Sequence, residues 1–110
     1  METTTKVMMT IITEQNLEKV ILHDLEDLGV NGYTIIEAKG KGGSGIKSGA
    51  WMNDTNIQIE LILDNALATK IYNFISDTKK YDNYSMMVYL SEVKVLKRHK
   101  NLGSRLEQRV

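Results

Sequence analysis

Apolar positions change period several times along the chain, and each change marks an element. Lys6 to Ile12 (KVMMTII) is a short, partly β-branched apolar run whose length predicts a strand buried on both faces. Thr13 then stands where a helix N-cap belongs, and Leu17, Val20, Ile21, Leu25 and Leu28 follow at the spacing of one helical stripe. Gly29 sits at the position of a C-terminal glycine stop. Tyr33 to Ala38 (YTIIEA) has the β-branched content of a second strand. Ile57, Ile59, Leu61 and Leu63 alternate with Gln58, Glu60 and Ile62, the period-two pattern of a third strand. Asp64 is placed to cap a second helix with the stripe Leu67, Ile71, Phe74 and Ile75, after which TKKYDNY breaks the pattern with polar and turn-forming residues. Met86 to Leu96 (MMVYLSEVKVL) reads as the last strand.

The order β-α-β-β-α-β predicts an α+β sandwich of ferredoxin-like type, two helix crossovers around a central hairpin. Right-handed crossovers put both helices on one face of the sheet and leave the other uncovered. Met8, Ile12, Ile36 and Ile62 share strands with Val7, Met9, Ile11, Ile35 and Leu61, so each face of the sheet carries apolar side chains. Burying it between identical subunits gains about 25 cal/mol per Å² of apolar area, which predicts a homo-oligomer.

The 110 residues make one domain, taken as 1–100, including a long loop over 39–55. Residues 101–110 (NLGSRLEQRV) lose all periodicity and read as a disordered tail or an expression scar. No apolar run approaches the roughly 18 residues of a membrane span, and METTTKVMM lacks the parts of a secretory signal. The absence of cysteine excludes disulfides, thiolate metal sites and cysteine nucleophiles, and makes a cytoplasmic address the default. Fourteen basic and fourteen acidic side chains cancel, so no global field recruits nucleic acid or an anionic membrane. Any anion site must be local.

The candidate for such a site is KGKGGSGIKSGAW, residues 39–51, which holds five of the eight glycines. Gly40, Gly42 and Gly45 spell GxGxxG, but a dinucleotide fingerprint opens a helix, and this segment runs into a strand. Ile46-Lys47-Ser48 lacks the glycine of a Walker A loop, and again no helix follows. Loops beyond about 12 to 15 residues are uncommon unless functional. Lys39, Lys41 and Lys47 oppose only Asp54, and the glycines let backbone N–H groups turn toward an anion. Trp51 reads as a contact residue or an anchor for one loop state. A second basic cluster, Lys94, Lys97, Arg98, His99 and Lys100, ends the last strand, at the opposite edge of a ferredoxin-like sheet; a symmetric oligomer brings the two together.

At GYTIIEAKGKG, NIQIELIL and YDNYSMMVYLSEVKVLKRHK the sequence resembles the PII family of trimeric signalling proteins, over residues 5–100. It looks closest to the PII-like branch linked with bicarbonate transporters and carboxysomes. The resemblance implies a homotrimer with the free sheet faces buried at its centre and adenine-nucleotide sites in the clefts between subunits. It matches Thr34 to the adenine side, Gly40, Lys41 and Gly42 to the loop base at the phosphates, and Arg98 and Lys100 to a pair reaching phosphate from the neighbouring subunit. Tyr84, Ser85, Met86 and Met87 occupy the segment that closes over the nucleotide, with Ile62 as a further contact. Lys47 falls near a basic position for phosphate or a small anion, and Gly43, Ser48, Gly49 and Trp51 complete the loop switch. The nitrogen-regulatory members carry a glycine- and lysine-containing phosphate loop where this chain has YDNYSMM, and their modifiable loop tyrosine is absent.

The leading expectation is a non-catalytic sensor. ADP or AMP, with ATP and cyclic AMP as further candidates, orders loop 39–55, with bicarbonate as a co-ligand, and the loop regulates a bicarbonate transporter or carboxysome component. The alternatives are a nitrogen-type PII regulator and a slow nucleotide-hydrolysing enzyme. For the latter, His23 lies in the acidic stretch HDLED and reads as a surface histidine, His99 has only basic neighbours, and no HExxH or nucleophile elbow appears. RNA binding needs stacking aromatics on the central strands, and KVMMTII and NIQIELIL have none.

Overall fold

Alternation along the third strand sorts its residues by face. Ile57, Ile59, Leu61 and Leu63 are buried, while Gln58, Glu60 and Ile62 between them are not. The computed structural model describes residues 1–40 and 55–98. It contains β1 (Thr3–Glu14), a 3-10 turn (Gln15–Leu17), α1 (Glu18–Leu28), β2 (Thr34–Lys39), β3 (Thr55–Leu63), α2 (Asn65–Asp77) and β4 (Met86–Leu96). The strands pair antiparallel throughout in the order β2-β3-β1-β4. This is the predicted α+β, ferredoxin-like arrangement.

The core lies on one face of the sheet. Met9 and Ile11 of β1 and the four buried residues of β3 meet Leu17, Ile21 and Leu25 from the first helical segment and Ala68 and Ile71 of α2. Asp64 caps α2 as predicted, its Oδ1 accepting the Leu67 N–H at 2.9 Å. Gly29 ends α1 with φ 115°, the left-handed conformation that favours glycine. Its N–H bonds the Glu26 carbonyl and the Val30 N–H bonds that of Leu25, so two orphan carbonyls at the helix end are satisfied.

Three local expectations need correction. The first strand runs from Thr3 to Glu14 rather than from Lys6 to Ile12, because β4 pairs with it along its polar ends, from Thr3 opposite Leu96 to Thr13 opposite Met86. Thr13 is therefore a strand residue and caps no helix; α1 begins five residues later, after the 3-10 turn, with no side-chain cap. Val20, placed in the apolar stripe, is exposed, since the helix turns Ile21 and Leu25 inward and leaves Val20 at its border.

Register also assigns the opposite face. Ile36, Gln58, Ile12 and Met87 stand in one row across the four strands, and Thr34, Glu60, Thr10 and Tyr89 in the next. Neither described helix covers these rows, and Ile36, Ile62, Met87 and Tyr89 are 49%, 47%, 60% and 45% exposed. Both faces carry apolar side chains, as the sequence pattern predicts, though on this one they alternate with Gln58, Thr34, Glu60 and Thr10.

Candidate functional site

The sheet places the predicted contact residues by strand end. Lys39 pairs with Thr55 at the last rung of the β2-β3 hairpin, so Gly40 leaves the sheet at that end. Asn56 pairs with Glu14, and Thr13 pairs with Met86, so the end of β1 and the start of β4 lie at this same end. Gly40 and the segment Tyr84–Met87 thus share one end of the sheet, on its two opposite edges. Thr34 begins β2 on the uncovered face opposite Glu60, and Ile62 follows two residues along β3 on that face.

Arg98 lies elsewhere. Leu96 pairs with Thr3 at the start of β1, and Lys97 donates its N–H to the Glu2 carbonyl at 3.0 Å. Arg98 therefore sits at the far end of β4 from Met86, roughly 40 Å away at about 3.3 Å per strand residue. One copy of the chain cannot bring Arg98 to Gly40 or Ser85. Lys41, Gly42, Gly43, Lys47, Ser48, Gly49, Trp51 and Lys100, together with His99 and the loop expectations, lie outside the described residues.

Side chains of β1 fix the segment that enters β4. Thr13 donates its hydroxyl to the Ser85 carbonyl at 2.6 Å, and the Glu14 carboxylate accepts the Ser85 N–H at 2.6 Å. Thr13, whose position predicts a helix cap, instead holds a residue 72 positions away. Glu14 is only 7% exposed, so the bond to Ser85 satisfies a carboxylate that burial would otherwise penalise. Pattern reading finds neither residue, because a polar pair closing an apolar strand ordinarily faces water.

Upstream, the turn is held by α1. Asp24, buried on α1, accepts from Lys80 Nζ at 2.8 Å and from the Tyr81 hydroxyl at 2.6 Å. Tyr81 is itself buried, and its ring meets Phe74 edge-on at 6.1 Å. Burial alone would raise the Asp24 carboxyl, but the hydrogen bonds from Lys80 and Tyr81 and the Lys80 charge outweigh it and hold the group below its ordinary value. Burial and the bond to Asp24 push the Tyr81 hydroxyl well above its ordinary value of 10.0. Tyr84 then donates its N–H to the Tyr81 carbonyl, which joins the two anchor points. His23 is a surface residue as expected, paired with Asp27 at 3.3 Å. Among the described residues no cluster of His, Asp and Glu is arranged to hold a metal ion, and no helix is long and apolar enough to cross a membrane.

A four-stranded antiparallel sheet with two helices on one face, a long hairpin connection and a braced entry into its edge strand defines a small α+β protein of ferredoxin-like fold. Residues 6–100 match the family described as nitrogen regulatory protein P-II, and the chain belongs to that family. Among solved structures it is similar to a PII-like signaling protein of Thermus thermophilus, with 31% identity and a TM-score of 0.70, over 87% of this chain and 94% of that one. It is also similar to CPII of Thiomonas intermedia, a PII-like protein solved with ADP and bicarbonate, at 25% identity and a TM-score of 0.67, over 86% and 91% of the two chains. A further CPII structure, bound to ADP, AMP and bicarbonate, shares the fold at 21% identity and a TM-score of 0.70, over 89% and 100%.

Proposed function

We propose that the chain is a non-catalytic signalling protein that binds an adenine nucleotide, ADP or AMP in preference to ATP, in clefts between the subunits of a homotrimer. Bicarbonate is the co-ligand, and loop 39–55 changes conformation with occupancy to regulate a partner in inorganic-carbon uptake or fixation, acting in the cytoplasm. The observation that carries this reading is the separation along β4. Ser85 and Gly40 stand at one end of the sheet and Arg98 at the other, so a site using all three needs a neighbouring copy. The exposed Ile36 and Met87, in one row with half-buried Ile12 on the uncovered face, supply a reason for that copy, since its association removes apolar area from water. The family, and the ADP, AMP and bicarbonate bound by CPII, support the choice of ligands.

Thr34 and Ile62 then meet the adenine, Gly40 with Lys41 and Gly42 the phosphates, Tyr84 to Met87 close over the nucleotide, and Arg98 and Lys100 reach it from the adjacent subunit. Lys47, with Gly43, Ser48, Gly49 and Trp51, carries the anion-dependent switch. Calorimetry with ADP, AMP, cyclic AMP and ATP, each with and without bicarbonate, tests the reading directly. No heat and no thermal shift with any of them removes it.

A further inference from the structure

Glu14 closes β1 in an unusual position for a carboxylate. It is nearly buried, and its Oε2 holds the Ser85 backbone N–H at 2.6 Å. The adjacent Thr13 hydroxyl holds the Ser85 carbonyl, so both backbone groups of Ser85 are engaged by β1. A backbone N–H at the entry to a strand is the kind of donor a phosphate oxygen uses. Here that donor already carries an internal anion. The segment from Tyr81 to Met87 contains no lysine or arginine to offset it, and Asp82 adds a second negative charge.

We propose that Glu14 limits how many phosphates the site accepts: its charge, fixed at the Ser85 amide, opposes the ligand's phosphates with a penalty that grows with each one added. This rests on the nucleotide reading above, which places Tyr84 to Met87 over the ligand. Like charges about 5–7 Å apart at the effective permittivity near a protein surface shift an equilibrium by roughly tenfold or more. On the reading that places Tyr84 to Met87 over the ligand, a carboxylate bonded to the Ser85 amide therefore selects by ligand charge, while contacts to the base are left unchanged. A purely structural clamp requires only an acceptor at this position. Selection by charge requires the charge.

Glu14→Gln separates the two, because the amide oxygen still accepts the Ser85 N–H while the charge is lost. Calorimetry at fixed salt with AMP, ADP and ATP is expected to show the ATP-to-AMP affinity ratio rising about tenfold or more in the variant, with AMP affinity rising least of the three. An unchanged ratio overturns the proposal. The wild-type chain gives a second measurement that requires no substitution. In a proton–nitrogen correlation spectrum the Ser85 amide should keep its carboxylate-bonded shift when AMP saturates the site. Transfer of that N–H from Glu14 to the AMP phosphate overturns the role assigned to Glu14. Wild-type protein that binds none of the three nucleotides overturns the nucleotide reading, and this inference with it. Binding with an unaltered ratio in Glu14→Gln removes Glu14's role alone.

Discussion

Asp24 on α1 accepts a 2.6 Å hydrogen bond from the hydroxyl of Tyr81, 57 residues along the chain, and both residues are buried. The bond ties the turn after α2 to α1, the other helix on that face of the sheet. Removing the hydroxyl leaves a buried carboxylate short of a donor, with Lys80 as its remaining bonded partner. Tyr81→Phe keeps the ring contact with Phe74 and is expected to cost about 1.5–3 kcal/mol, the range for hydrogen bonds to charged groups. Urea denaturation of the two proteins measures it. A change below about 0.5 kcal/mol, the scatter of ordinary surface substitutions, contradicts the assignment.

The same pair sets limits at both ends of the pH scale. Asp24 is lowered from 3.8 in the folded state, so its contribution is present above pH 3.8 and is lost as pH falls through the folded value. Tyr81 is raised from 10.0, so its contribution is complete below pH 10.0 and is lost as pH rises through the folded value. Melting temperature followed against pH should therefore fall on the alkaline side above about 10 in the wild type, with a shallower fall in Tyr81→Phe. Asp24→Asn should flatten the acid side in the same way. Parallel curves for wild type and variants would place the titration elsewhere.

Legibility of the fold followed the strength of local signals. The alternation in β3, the Asp64 cap and Gly29 each use a pattern contained within a few residues, and each appears where expected. Thr13 shows where such reading fails, because a hydroxyl before an apolar stripe looks like a cap whether or not it serves as one. Its partner is the Ser85 carbonyl, and nothing near Thr13 in sequence announces that contact. Tyr81 is hidden in the same way, as one aromatic in a polar turn that long-range packing carries into the core. For the candidate site, local pattern located the end of β2 and the start of β4 to within a residue, but not the end of β1, where Thr13 and Glu14 stand. The brace from Glu14 to Ser85 depends on pairing β1 with β4, which is a property of the whole sheet.

The uncovered face offers a test of assembly. Tyr89 stands opposite Thr10 on that face and is 45% exposed in the single chain. A carboxylate there costs little while the face meets water but is strongly unfavourable once the face is buried without a partner charge. Tyr89→Glu is expected to yield a folded monomer by circular dichroism and sedimentation, against a trimer for the wild type. A variant that remains trimeric puts the interface on another surface.

Sharing of one site between subunits can be tested by complementation. Gly40 leaves the sheet at the end opposite Arg98, and a Cβ built at Gly40 meets nothing within 4 Å. Gly40→Val should therefore fold normally while its side chain obstructs the phosphates, lowering ADP affinity by about tenfold or more, the effect of roughly 1.4 kcal/mol. Arg98→Ala should weaken ADP by a similar factor through loss of a charge-assisted contact. If each cleft takes Gly40 from one subunit and Arg98 from the next, equal mixing of the two variants by joint unfolding and refolding leaves about a quarter of the clefts wild type on both sides. Calorimetry of the mixture should then recover a tight-binding fraction absent from either variant alone. No recovery, in mixtures shown by mass spectrometry to contain mixed trimers, would mean that Arg98 has no direct part in the site.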